Sequence, residues 1–139
     1  MPKLTSVLLV DDDSTTNYLN TLLFKRMRIT QNLFVAENGR EALATLSQTC
    51  PDPSPSCPAL ILLDINMPVM NGIEFLEAYQ HLPLTQRQAI VVVLLTTSVS
   101  SRDLTRVAAL PIAGSITKPL TENKLTSLLQ DYFPALAAD

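Results

Sequence analysis

Short polar clusters interrupt an otherwise apolar chain, and their residue types suit chemistry on phosphate. Asp11-Asp12-Asp13 follows the apolar run Leu4 to Val10, and Asp64 follows Leu60-Ile61-Leu62-Leu63. Thr96-Thr97-Ser98 follows the run Ala89 to Leu95, and Lys118 follows Gly114-Ser115-Ile116-Thr117. If each run is a strand, carboxylates, a hydroxyl and an ammonium gather along one edge of a sheet. Crowded carboxylates raise one another's pKa unless a cation lies among them. Oxygen donors without a neighbouring His or Cys favour Mg²⁺, which keeps several waters and readily takes a phosphate oxygen. The set suits phosphoryl transfer to a carboxylate: the acid attacks phosphorus, metal and lysine neutralise charge, and a hydroxyl bonds an equatorial oxygen. Asp64 is the natural acceptor, being the solitary acid between the pair and the lysine. A phosphoryl group brings about 1.5 to 2 negative charges and three strong acceptors, which draws Thr96 and Lys118 toward it.

Positioning these groups requires an alternating α/β chain. Four consecutive aliphatic residues before Asp64 read as a strand buried on both faces, as in a parallel sheet. Ligands of such sheets bind beyond the carboxyl ends of the strands. Leu4 to Val10 is the first strand, and Asp13 or Ser14 caps a helix in which Tyr18, Leu19, Leu22, Leu23 and Arg26 form the stripe predicted to pack on the sheet, with Asn20 and Lys25 elsewhere. Leu33 to Ala36 is a short second strand, and Asn38-Gly39 turns into a helix carrying Ala42, Leu43 and Leu46. Ala59 to Leu63 forms the third strand. After the Asn71-Gly72 turn, Ile73, Phe75, Leu76 and Tyr79 mark a third helix that ends before Pro83. Ala89 to Leu95 is the central fourth strand, and a fourth helix runs from a cap near Ser101 to about Leu110, where Pro111 stops it. Gly114 to Thr117 is the last strand. Thr121 caps a final helix to about Tyr132, with Leu125, Leu128 and Leu129 inward. Five strands alternating with five helices predict a parallel sheet covered on both faces.

At 139 residues the chain has the size of one domain, and 47% apolar against 17% charged residues is a globular composition. The net charge of -3 and the lack of Lys/Arg clusters give no electrostatic reason to expect nucleic-acid binding. No apolar run approaches the roughly 20 residues that span a bilayer, and the first residues lack the form of a signal peptide, so a cytoplasmic protein is expected. Pro51, Pro53, Pro55 and Pro58 make residues 50–58 a surface loop insertion. Within it, Cys50 and Cys57 read as reduced thiols rather than a disulfide. His81 reads as an exposed helix-end residue, and Met67 and Met70 as loop packing.

Val10-Asp11-Asp12, the run from Asp64 to Gly72, Leu95-Thr96-Thr97-Ser98 and Thr117-Lys118-Pro119 together resemble the four landmarks of the response-regulator receiver domain of two-component systems. The resemblance runs from about Leu4 to Phe133. It implies a flavodoxin-like, doubly wound sheet of order 2-1-3-4-5 with five helices in three layers, and a single stand-alone receiver over residues 1–139. It further implies that Asp64 is the phosphoacceptor and that Asp12, Asp64 and the backbone carbonyl of Asn66 bind Mg²⁺, with Asp11 acting through water. Thr96 becomes the switch hydroxyl, Lys118 the partner of the phosphoryl group, and the bond before Pro119 is expected to be cis. The implied partners are a histidine kinase or histidine phosphotransfer protein and a downstream protein, met by a monomer or weak dimer. One departure concerns output: Ser115 stands where the family usually places an aromatic switch residue.

Two other readings come from different classes. Asp11-Asp12-Asp13-Ser14-Thr15 fits the Asp-x-Asp-x-Thr pattern of haloacid-dehalogenase-like phosphatases, with Asp11 as nucleophile and Asp13 as acid/base, but that family needs an acidic pair after the lysine, where Glu122 and Asp131 stand apart on a helix and Asp139 lies beyond it, and Asp64 is left without a role. A receiver-like binding module that never takes phosphate is the third.

Overall fold

The computed structural model describes residues 4–49, 58–82, 90–97, 105–107 and 109–134. Its strands are β1 (Leu4–Val10), β2 (Thr30–Ala36), β3 (Leu60–Leu63), β4 (Val91–Thr96) and β5 (Gly114–Thr117). Between and after them come helices α1 (Ser14–Met27), α2 (Gly39–Thr49) and α3 (Gly72–Tyr79). Residues 105–107 are helical, within the predicted fourth helix, and are labelled α4; Glu122–Tyr132 is α5. All neighbouring strands pair in parallel, in the order β2-β1-β3-β4-β5. This is the flavodoxin-like order that the resemblance implies.

Alternation along the strands divides the core in two, because successive side chains point to opposite faces. Leu8, Val10, Ile61, Leu63, Val92 and Leu94 pack with Ala42, Leu46, Phe75, Leu76 and Tyr79 of α2 and α3. Val7, Leu9, Leu60, Leu62, Val93 and Leu95 pack with Leu23, Phe24, Leu125, Leu128 and Leu129 of α1 and α5. Each fully buried aliphatic side chain stabilises the fold by roughly 1.5 to 3 kcal/mol, and on the central strands the charged side chains stand just beyond the carboxyl ends.

The structure corrects the reading of α1. Tyr18, Leu19 and Leu22 are 63%, 56% and 45% exposed, whereas Asn17, Asn20, Leu23 and Phe24 face the sheet. Of the predicted stripe, Leu23 alone packs on the sheet; Tyr18, Leu19, Leu22 and Arg26 lie outward, and Asn20, expected elsewhere, is buried. Two anchors set the phase: Asp13 caps the helix by accepting from Thr15 N, and Asn17 Nδ2 donates to the carbonyl of Asp11 at 2.8 Å. With those fixed, fully buried Phe24 comes inward and Leu22 turns out. β2 also begins earlier than expected, because Thr30, Gln31 and Asn32 continue the pairing from Leu4↔Thr30 to Ser6↔Asn32. An edge strand exposes such polar residues at little cost.

Other expectations hold with small shifts of boundary. β3 starts at Leu60 and β4 covers Val91–Thr96. His81 is exposed, Met67 is buried, and Met70 packs half-buried against the core. Leu125, Leu128 and Leu129 face inward as predicted. Cys50, Cys57 and most of the proline-rich loop lie outside the described residues, as does the start of α4.

Candidate functional site

Strand register brings the polar ends together. Val10 pairs with both Ala36 and Leu63, so β1 and β3 finish side by side. Asp11 N donates to Ala36 O at 3.0 Å and Asp64 N donates to Val10 O at 2.9 Å. Leu63 pairs with Leu94, Thr96 pairs with Thr117, and Lys118 N donates to Thr96 O at 2.8 Å. The strands' carboxyl ends therefore deliver Asp11, Asp64, Thr96 and Lys118 to one edge of the sheet.

Carboxylate oxygens of Asp11, Asp12 and Asp64 lie within 4.8 Å of one another, with Asp11 and Asp64 buried and Asp12 exposed. Lys118 Nζ stands 2.5 Å from Asp11 Oδ2 and 3.6 Å from Asp64 Oδ2. One ammonium thus pairs with two of the three clustered carboxylates. Burial pushes the Asp64 carboxyl above its usual range, and repulsion from Asp11 adds to this against the attraction of Lys118. For Lys118, burial alone acts to lower the pKa; the hydrogen bond to Asp11 and the attraction of Asp11 and Asp64 outweigh it and raise the value. The ammonium is held charged. Hard oxygen donors with an unbalanced negative charge fit a divalent cation of the Mg²⁺ type.

The loop after β3 is held at several points. Gly72 N donates to Ile65 O at 2.8 Å, and a Cβ on Gly72 would lie 2.3 Å from Asp64 O. Only glycine permits α3 to start so close to the acid. Asn71 caps α3, its Oδ1 accepting from Glu74 N at 2.8 Å while Glu74 Oε1 accepts from Asn71 N at 3.0 Å. Gly39 N, at the start of α2, donates to Met70 O at 2.8 Å. Val69 takes φ 67°, and Met70 N donates to Pro68 O at 2.7 Å across it. An i to i+2 bond at positive φ is a strained γ-turn.

Of the residues picked out in sequence, Asp11, Asp12 and Asp64 are in mutual reach, Lys118 stands beside Asp11 and Asp64, and Thr96 is buried where β4 ends. Asn66 is exposed two residues beyond Asp64 on the same loop. The Lys118-Pro119 bond is cis. Ser115 is exposed on β5 and lines a groove of about 380 Å³ with Lys124 and Tyr132. Asp13 belongs to the helix: it accepts from Thr15 N at 3.0 Å and Thr16 Oγ1 at 2.8 Å, and those bonds, the one from Thr16 first, hold its carboxyl below the usual range. It is poorly placed to act as the acid of a phosphatase. Glu122 and Asp131 are exposed on α5, and among the described residues the one acidic cluster is that of Asp11, Asp12 and Asp64. Sequence reasoning missed Asn17, because assigning the stripe of α1 to the sheet turned this residue to solvent.

The profile of the response regulator receiver domain matches residues 7–130. The chain is 32% identical to the response regulator Rcp1 of Synechocystis sp., over 89% of this chain and 83% of that protein. It is 28% identical to a probable chemotaxis protein CheY of Rhizobium etli, over 94% and 93%. Among solved structures, a two-component response regulator from Cytophaga hutchinsonii superposes with a TM-score of 0.82 at 29% identity, covering 96% of this chain and 99% of that one.

Proposed function

The chain belongs to the response-regulator receiver domain family, phosphorylation-dependent signalling domains rather than conventional enzymes, and we propose that Asp64 is its phosphoacceptor. What carries this reading is the convergence of three carboxylate oxygens within 4.8 Å, with Lys118 Nζ 3.6 Å from Asp64. An Asp64 oxygen attacks phosphorus as the P–N bond of a donor phosphohistidine breaks, and the electron pair leaves with the imidazole nitrogen. Lys118 then shifts from Asp11 to the new phosphoryl oxygens, and the Thr96 hydroxyl follows. The family binds Mg²⁺ at its acidic pocket. Here Asp12, Asp64 and the Asn66 carbonyl would hold it, with Asp11 acting through water, and its charge would neutralise that of the transferring group. The donor is a histidine kinase or histidine phosphotransfer protein, and a downstream protein reads the result. Residues 1–139 act as a single receiver.

Acetyl phosphate with Mg²⁺ tests the assignment by intact mass. Wild type gains one phosphoryl group and Asp64→Asn gains none. Turnover of phosphate esters that depends on Asp11 and survives Asp64→Asn would favour the phosphatase reading instead. Wild type that no phosphodonor labels would leave a phosphate-independent binding module.

A further inference from the structure

The acids of the cluster are held unequally. Every polar atom of Asp11 has a partner: N donates to Ala36 O at 3.0 Å, Oδ1 accepts from Asp13 N at 2.9 Å, Oδ2 from Lys118 Nζ at 2.5 Å, and O from Asn17 Nδ2 at 2.8 Å. Asp12 is exposed, and its carboxylate has no hydrogen-bond partner among the described residues. Its direction is set by the backbone alone. Because a peptide unit is planar, fixing the oxygen of Asp11 fixes the plane from which Asp12 starts.

Asn17 does this fixing from inside the protein. It is 5% exposed, and because its partner is a carbonyl, the amide must turn its N–H₂ end toward Asp11. That choice leaves Oδ1 buried without a partner among the described residues. An unpaired buried oxygen costs stability, and an apolar side chain of similar size would not carry that cost. Packing on the sheet therefore gives no reason for an amide at this position, whereas the bond to Asp11 does.

We propose that Asn17 is a positioning residue for the metal site, orienting the Asp11–Asp12 peptide so that Asp12 faces the ion. The inference rests on the metal-binding reading of the cluster. Groups that orient metal ligands change affinity by about 10- to 100-fold when removed.

Mn²⁺ serves as the probe, with free ion measured by electron paramagnetic resonance on the full chain, and stability measured by thermal melts in EDTA. Asn17→Leu and Asn17→Ala both remove the donor, and Leu23→Val weakens the same helix face without touching the loop. Both Asn17 variants should fold without metal and bind Mn²⁺ about tenfold more weakly, while Leu23→Val binds like wild type. Equal affinity in wild type and both Asn17 variants overturns the proposal. So does an equal loss in Leu23→Val, or failure of both Asn17 variants to fold in EDTA, which marks a purely structural residue. Wild type that binds no Mn²⁺ overturns it too, and that arm reports separately that the metal site itself is wrong.

Discussion

At Asp64 the cost of burial and the repulsion of Asp11 prevail over the attraction of Lys118 3.6 Å away. The folded protein therefore holds this proton more tightly than the unfolded chain does, and ionisation opposes folding. The penalty is absent below the unfolded-chain pKa, grows as pH rises through that value and then the folded one, and is complete above both. In EDTA, Asp64→Asn should melt above wild type at about pH 8, and the gap should close by about pH 3, below the unfolded-chain aspartate value of about 3.9. A gap of equal size at both ends, or a more stable wild type at the higher pH, would refute the assignment. Val69 presents a second residue-scale conflict, a β-branched side chain at φ 67° and 72% exposed. Strain of this kind costs of order 1 to 3 kcal/mol, and Asn tolerates positive φ better than Val. Val69→Asn is expected to raise unfolding free energy in urea by about 1 kcal/mol.

Helix α1 carries two apolar stripes, and its energetics follow the one that the caps turn inward. Leu23 lies in the core with Phe24, while Leu22 is 45% exposed. Leu23→Ala should cost about 2 to 5 kcal/mol and Leu22→Ala less than about 0.5 kcal/mol, read from urea unfolding midpoints with unchanged slopes. Sequence could not fix the phase, since Tyr18, Leu19, Leu22 and Leu23 have as good a helical spacing as Leu23, Phe24 and Met27, and Leu23 belongs to both. The choice depends on Asn17 meeting a carbonyl six residues earlier, a bond that periodicity does not encode. β2 was likewise legible only where it is apolar. Its polar start is recruited by pairing with β1. The strand ends were readable for the opposite reason: an uninterrupted aliphatic run that stops at a charge admits few placements, and Leu60 to Asp64 is such a run. Gly72 was read as a turn former, but its decisive feature is clearance, with Asp64 O only 2.3 Å from where a Cβ would stand.

For the molecule as a whole, the site is a concentration of like charge at one end of a sheet whose interior is apolar. Three carboxylates against the single ammonium of Lys118 leave the cluster negative, and the fold holds them together through strand register rather than through their own attraction. A divalent cation that binds this arrangement and not the unfolded chain must stabilise the protein, by about 2.7 kcal/mol when free Mg²⁺ exceeds Kd about a hundredfold. The melting temperature should therefore rise with Mg²⁺ and saturate, whereas NaCl at equal ionic strength produces a smaller rise through screening alone. Two variants separate binding from repulsion. Asp12 is exposed, so Asp12→Asn should melt close to wild type in EDTA yet lose most of the Mg²⁺ response. Asp64→Asn should lose that response while melting higher than wild type in EDTA at neutral pH, because its buried charge is gone. If instead Mg²⁺ and NaCl were interchangeable, or if Asp12→Asn kept the full response, the cluster would be a patch of screened surface charge and not a site for one ion.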